Sequence, residues 1–280
     1  IEWLNGELEA TNRGVMALYA ELEDRAEDLK RASEHKTRFL SDVSHELRTP
    51  MTSVLNLARL LLDRADGPLT EEQERQVELI QQSVQTVTGL VNDLLDIARI
   101  EAGHSTLRYR AVTVGELFAA LRGISRPLLT SDAVNLSFED DESNTLLETD
   151  DTRLAQILRN LLSNAIKFTE RGEIRVSARV EIGDTVRFDV RDTGIGIAAA
   201  DQERVFEEFT QIDSRLQRRV HGSGLGLRLS RTLATLLGGR IELVSAPGRG
   251  STFSVIVPRR HSGWAEQPAP NEPAPHEATV

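Results

Sequence analysis

Three groups of residues in this chain could do chemistry. Ser44-His45-Glu46-Leu47-Arg48-Thr49-Pro50 sets an imidazole beside a carboxylate, with a hydroxyl one helical turn later. An imidazole can act as a nucleophile and exchange protons near neutral pH. Asn160, Asn164 and Lys167 are spaced i, i+4, i+7, so on a helix two amides and an ammonium share one face. Carboxamide oxygens suit Mg²⁺, which keeps most of its waters and shares substrate phosphates, and a lysine suits a phosphate oxygen. The third group is glycine-rich. In Asp192-Thr193-Gly194-Ile195-Gly196, a carboxylate at a strand end can accept from an exocyclic amine while the glycines let a flat base approach. Gly222-Ser223-Gly224-Leu225-Gly226 leads into a helical pattern, whose free amides and positive end can receive phosphate groups.

Singly, each pattern also describes ordinary structure. A His-Glu pair suits a solvated helix face, Asp-x-Gly-x-Gly suits many turns, and Arg215, Arg218 and Arg219 suit a polar loop as well as a lid over a nucleotide. Neither a Walker-type phosphate loop nor a protein-kinase His-Arg-Asp loop is present.

The elements that must carry these groups are legible from periodicity. Phe39, Val43, Leu47, Met51, Val54, Ala58 and Leu61 recur every three or four residues and predict a buried helical stripe. His45 lies two residues from Val43 and from Leu47, about 200° around the helix, so it points away from that stripe. Upstream, Leu4, Leu8, Thr11, Val15, Leu18, Leu22, Arg25, Leu29, Ala32, Lys36, Phe39 and Val43 alternate four- and three-residue steps. That is the heptad seam of a parallel dimeric coiled coil, weakened by Arg25 and Lys36. At Val43 the steps stutter, and Pro50 predicts a bend.

Gly67-Pro68 predicts a turn, Thr70-Glu71-Glu72-Gln73 a capping box, and Val77, Ile80, Val84, Val87, Val91, Leu94 and Ala98 a second helix closing near Gly103. Two such helices make a thin core, so a homodimeric four-helix bundle is expected. Beyond His104 the pattern is mixed. It predicts strands at 134–138, 174–182 and 185–192, helices at 151–169 and 225–237, helical residues at 201–209, and two last strands around Pro247-Gly248. The fold class is thus α+β and multidomain, with helices alternating with antiparallel strands in the second part. The expected boundaries are a coiled coil at 1–36, a helical hairpin at 37–103, a layered domain at 104–260 and a Pro-rich, disordered tail at 261–280.

Composition narrows the function. A net charge of -11 argues against a general nucleic-acid binder. The absence of cysteine excludes disulfides, thiolate metal sites and cysteine nucleophiles, and it permits a reducing cytoplasm. No apolar run approaches the roughly 18 residues of a membrane span. The chain starts directly in helical periodicity, which leads us to expect a fragment whose upstream part is missing.

Taken together, His45 to Pro50, Asn160 to Thr169, Asp192 to Gly196, Phe206 with Phe209, and Gly222 to Gly226 resemble, in order, the H, N, G1, F and G2 boxes of sensor histidine kinases. The resemblance implies a dimerisation and phosphotransfer bundle followed by a Bergerat (GHKL-type) α/β-sandwich that binds ATP with Mg²⁺. It implies His45 as the phosphorylated nucleophile, with Glu46 holding its near nitrogen, Arg48 beside them, and Thr49 orienting water for dephosphorylation of a response regulator. Asn160 and Asn164 would meet Mg²⁺ and triphosphate, Lys167 phosphate, Asp192 the adenine amine. Phe168, Gly194, Gly196, Ile197, Phe209, Gly222, Ser223, Gly224, Leu225, Gly226 and Thr252 would complete the nucleotide site. Related ATPases carry a Glu where this chain has Asn160, so the water-activating base is absent and transfer to histidine is favoured over hydrolysis. The implied partners are a second copy of the chain, a receiver domain and an upstream sensor, and the implied location of this portion is cytoplasmic. Two rivals remain compatible with the residues: a Bergerat ATPase or serine kinase with the hairpin as scaffold, and a binding-only or dephosphorylating relay.

Overall fold

The structure is a computed structural model describing residues 2–65, 67–126, 129, 133–139, 144–210 and 224–260; the side chains of 2–11 and 29 are not among those described. The Pro-rich tail, the arginine-bearing stretch at 211–221, Gly222 and Ser223 fall outside these residues. The chain divides into two units, Ile1–Ser105 and Thr106–Val280.

The first unit is a helical hairpin. Helix α1 spans Glu2–Leu62 and runs through Pro50 without a break. Proline has no N–H to offer the Glu46 carbonyl. Around it the hydroxyls of Thr49, Thr52 and Ser53 donate back to the carbonyls of His45, Arg48 and Thr49. Helix α2 spans Glu71–Glu101 and begins with the expected capping box, in which Thr70 and Gln73 exchange side-chain and backbone hydrogen bonds. It ends with Gly103 at φ 71, its N–H donating to the Ile100 carbonyl and the His104 N–H to that of Arg99, the paired bonds of a Schellman stop.

Within a single chain the apolar stripe of α1 is only partly buried. Ala58 and the polar Thr37 and Ser44 are buried, and Met51 and Leu55 are half-buried, whereas Phe39 is 66% exposed and Leu47, Val54, Leu57 and Leu61 also face outward. On α2, Val77, Leu95, Ile97 and Ala98 are buried while Ile80 and Val87 are not. A single partner helix covers one narrow strip, and this stripe is wider than that.

The second unit is built on a sheet. Strands β1 (Arg110–Thr113), β2 (Val134–Phe138), β3 (Leu146–Thr149), β4 (Gly172–Glu181), β5 (Thr185–Asp192), β6 (Arg240–Ala246) and β7 (Gly250–Pro258) are interleaved with α3 (Val114–Ser125), α4 (Asp151–Phe168) and α5 (Gly226–Leu236). Five of the described strands pair in the order β2-β4-β5-β7-β6, and β1 pairs with β3. The β2–β4 pair is parallel, unlike the antiparallel pairing expected throughout. One face of the sheet is apolar. Ile174, Val176, Val186, Phe188, Val190, Val255 and Val257 are buried there with Leu154, Ile157, Leu158 and Leu161 of α4 and Leu229 and Leu233 of α5. Phe118 of α3 packs edge-on to Phe188 of β5, ring centroids 6.3 Å apart. The other face carries charge, where Arg187 bonds Asp189, Glu242 and Ser254.

Three elements escaped the sequence reading: β1, α3 and β3. The signal for α3 was there, since Thr113 and Glu116 form a capping box ahead of Leu117, Phe118 and Leu121. Residues expected as one helical run at 201–209 instead form two short 3₁₀ turns, Ala199–Asp201 and Arg204–Phe206.

Candidate functional site

In the first unit, His45 stands exposed on α1, as the helical phase predicted. Among the described residues neither ring nitrogen is hydrogen-bonded, and the Thr49 hydroxyl donates to the His45 backbone carbonyl at 3.4 Å. Glu46 is exposed too, and no hydrogen bond joins its carboxylate to the imidazole, because successive residues on a helix diverge by about 100°. The structure therefore brings Thr49 to the His45 face and leaves Glu46 beside it. Arg48 points toward α2, where its Nη2 donates to Asn92 Oδ1 at 3.4 Å.

In the second unit, the end of β5, the end of α4 and the β6–β7 hairpin converge on Asp192. The alternation along β5 turns this carboxylate inward, and it is 5% exposed. Its Oδ1 accepts from the backbone N–H of Gly194 at 2.8 Å and of Ser251 at 3.2 Å, while Oδ2 has no donor among the described residues. Burial pushes the Asp192 pKa up, and the two backbone N–H groups oppose this. The free oxygen of this otherwise buried carboxylate can accept from a ligand donor such as an exocyclic amine.

Close packing shapes the walls. A Cβ on Gly194 would meet the Phe168 carbonyl oxygen at 2.2 Å, and one on Gly196 would meet the Ala246 oxygen at 1.9 Å. The Ile195 N–H donates to that Phe168 carbonyl at 3.2 Å, which ties the end of α4 to the loop after β5. Ile197 is fixed by its N–H to Ser245 Oγ at 2.7 Å, and Gln202 Nε2 bridges the carbonyls of Ile197 and Ser245. Ser245, Gln202 and Ser251 were not singled out from the sequence. Two serines in a hairpin and a glutamine after a short turn carry no signal until the pairing is known.

Thr252 is not brought to Asp192. In register it stands opposite Arg191, on the face of the sheet away from Asp192. The residue that reaches Asp192 is its neighbour Ser251, and a one-residue step along a strand reverses the face.

Asn160, Asn164 and Lys167 do share a side of α4, half-buried. Asn160 Nδ2 donates to Ser230 Oγ at 2.8 Å, and the amide lies against Gly226, where a Cβ would come within 2.5 Å of Oδ1. The Asn164 amide has no hydrogen-bond partner among the described residues. Burial holds the Lys167 pKa below its usual value. Uncommitted amide oxygens near a cation form a donor set that fits a magnesium–triphosphate group. Leu225 is buried at the head of α5 and Gly224 has φ 69. A Cβ on Gly224 would meet the Phe209 backbone at 2.9 Å, so the two flanks of residues 211–223 touch. Phe209 itself is 64% exposed, with φ 57. Phe206 is buried, with Phe253 edge-on at 6.4 Å and the Arg231 guanidinium 4.5 Å above its ring.

The two units correspond to two family models. The histidine kinase A (phospho-acceptor) domain matches residues 35–103, and the histidine kinase-, DNA gyrase B- and HSP90-like ATPase matches residues 149–261. The chain belongs to the sensor histidine kinases. These are ATP-dependent protein-histidine phosphotransferases of two-component signalling, and the chain carries the two domains of their catalytic core. It is 37% identical to the circadian input-output histidine kinase CikA of Synechococcus elongatus over 98% of its own length and 37% of that protein. It is also 37% identical to the aerobic respiration control sensor protein ArcB of Escherichia coli, over 87% of the chain and 32% of that protein. It thus spans about a third of these relatives. The crystal structure of full-length ShkA in complex with AMPPNP superposes with a TM-score of 0.65 at 32% identity, covering 78% of this chain and 45% of that one. Among the described residues no helix of this histidine kinase core is long and apolar enough to cross a membrane.

Proposed function

We propose that this core autophosphorylates His45 from Mg-ATP and passes the phosphoryl group to an aspartate on a response-regulator receiver domain. The observation that carries the reading is the exposed His45 imidazole, unbonded among the described residues, on the helix matched as phosphoacceptor.

In its neutral form, with the proton on Nδ1, the imidazole offers the Nε2 lone pair to the terminal phosphorus. Nε2 forms the N–P bond as the bond from phosphorus to the oxygen of the departing ADP breaks, and the Nδ1 proton is then released. Glu46 supplies a nearby carboxylate to take that proton after a rotamer change. Asp192 and the glycines at 194 and 196 hold the adenine, Lys167 a phosphate oxygen, and Leu225 and Gly226 present the head of α5 to the triphosphate. Asn164 and Asn160 would hold Mg²⁺, which neutralises phosphate charge when bound. No carboxylate occupies position 160 to activate water, which favours the imidazole as acceptor. Thr49, on the His45 face, suits the orientation of water for the reverse, dephosphorylating activity.

The outward rows of Phe39, Leu47, Val54, Leu57 and Leu61 on α1 and Ile80 and Val87 on α2 support a homodimer in which two hairpins form a four-helix bundle. An upstream sensor would bias that bundle through the coiled coil at 1–36. Incubation with γ-labelled ATP tests the proposal: the parent gains acid-labile, alkali-stable label, and His45→Gln gains none. Equal labelling of His45→Gln would contradict it.

A further inference from the structure

Asn160 is gripped by two residues of α5 that stand one turn apart. Gly226 opens the space against which its amide lies, since a Cβ there would come within 2.5 Å of Oδ1 and 2.7 Å of Nδ2. Ser230, four residues on and therefore on the same face, accepts from Nδ2 at 2.8 Å. Ser230 is 1% exposed, so its hydroxyl has no water to fall back on and the bond to Asn160 is its means of satisfaction. Asn160 Oδ1 accepts no hydrogen bond among the described residues. An amide has two nearly isosteric ends, and only the oxygen can meet a cation or a phosphate-bound metal. A bond that holds the amide in place through its nitrogen leaves the oxygen available to a ligand.

We infer that Ser230 is a positioning residue for metal–nucleotide binding: beside Gly226 it holds the Asn160 amide through Nδ2 and so keeps Oδ1 available to the magnesium. This rests on the nucleotide reading of the site given above. The seat also joins the helix that begins the phosphate-binding turn to the helix that carries the metal-binding amides. A displacement of α5 therefore releases the Asn160 amide.

The test is the affinity of the full chain for a fluorescent ATP analogue, measured once with Mg²⁺ and once with EDTA. Ser230→Val and Ser230→Thr have the same shape and differ by the hydroxyl, so steric damage is common to both. The expected result is that Mg²⁺ tightens binding by the parent and by Ser230→Thr. In Ser230→Val that gain falls roughly five- to tenfold, the scale of one hydrogen bond that orients a ligand group. Affinities in EDTA stay alike in all three. On an Asn160→Ala background, Ser230→Val adds no further loss, because the residue it positions is gone. If Ser230→Val keeps the full Mg²⁺ gain, or Ser230→Thr loses as much as Ser230→Val, the inference is overturned while nucleotide binding stands. If the parent binds no nucleotide, the functional reading itself falls, and the inference with it.

Discussion

The Ser251 N–H donates to Asp192 Oδ1 across the β5–β7 pair, at 3.2 Å, and leaves Oδ2 of the same carboxylate without a donor among the described residues. The acceptor proposed for adenine is thus held by the backbone of the neighbouring strand. Ser251 can change its side chain without losing that hold, whereas Asp192 cannot.

Asp192→Asn is expected to separate stability from binding. Burial raises the Asp192 pKa in the folded chain, so the folded state disfavours the charged form at neutral pH. The penalty fades as pH falls from the folded toward the unfolded pKa, because the native state takes up the proton first. The neutral Asn removes it, so the thermal midpoint at pH 7 holds or rises. ATP affinity, measured by calorimetry, falls at least about tenfold, since an amide nitrogen then faces the adenine amine, and a 6-oxopurine nucleotide loses less. For the parent, ATP binding weakens on acidification starting above the ordinary carboxylate range.

Glycines 248 and 250 flank one hairpin and should respond differently. Both have positive φ, 71 and 79. Nothing lies within 4 Å of a Cβ at Gly248, whereas one at Gly250 would meet the Asp192 carbonyl oxygen at 2.0 Å. Gly248→Ala should lower unfolding free energy by about 1 kcal/mol, the strain of the left-handed backbone. Gly250→Ala should lower it by roughly 3 kcal/mol or more and weaken nucleotide binding, because β7 must move from Asp192. Urea titration of the full chain reads both.

On the charged face of the sheet, Arg187 lies between Asp189 at 3.0 Å and Glu242 at 2.8 Å, with its side chain and that of Asp189 about 15% exposed. Arg187→Met removes the cation shared by Asp189, Glu242 and Glu181, leaving Arg179 and Arg240 at the edges of the cluster, and should destabilise by about 1–2 kcal/mol, discounted for the half-open Glu242. Adding Glu242→Gln to Arg187→Met should recover part of the loss. Paired denaturation curves measure the coupling.

Leu57 is 62% exposed on α1. If the outward rows pair two hairpins, Leu57→Glu shifts the sedimentation of the chain toward monomer, while Arg59→Glu, at an exposed position without an apolar row, leaves it dimeric.

The site was legible in the sequence where spacing alone dictates geometry. Helical phase placed His45 outward, period two placed Asp192 inward, and the four-residue step put Asn160 and Asn164 on one side of α4. What depended on partners was not legible. The face of Thr252 follows from its register with Arg191. The split of the α1 stripe follows from how little of it α2 can cover, and the parallel β2 follows from a pairing no local pattern encodes. Ser230 was silent for the same reason: a serine among Leu229, Thr232 and Leu233 signals nothing until α4 lies against it.

Site mapping of the phosphoryl group is the most direct measurement of the central claim. After incubation with Mg-ATP, neutral-pH digestion and electron-transfer mass spectrometry should find phosphate on the peptide containing His45, on the imidazole and lost on acid treatment. Phosphate on a serine or threonine, or release of inorganic phosphate with no phosphoprotein formed, would contradict it.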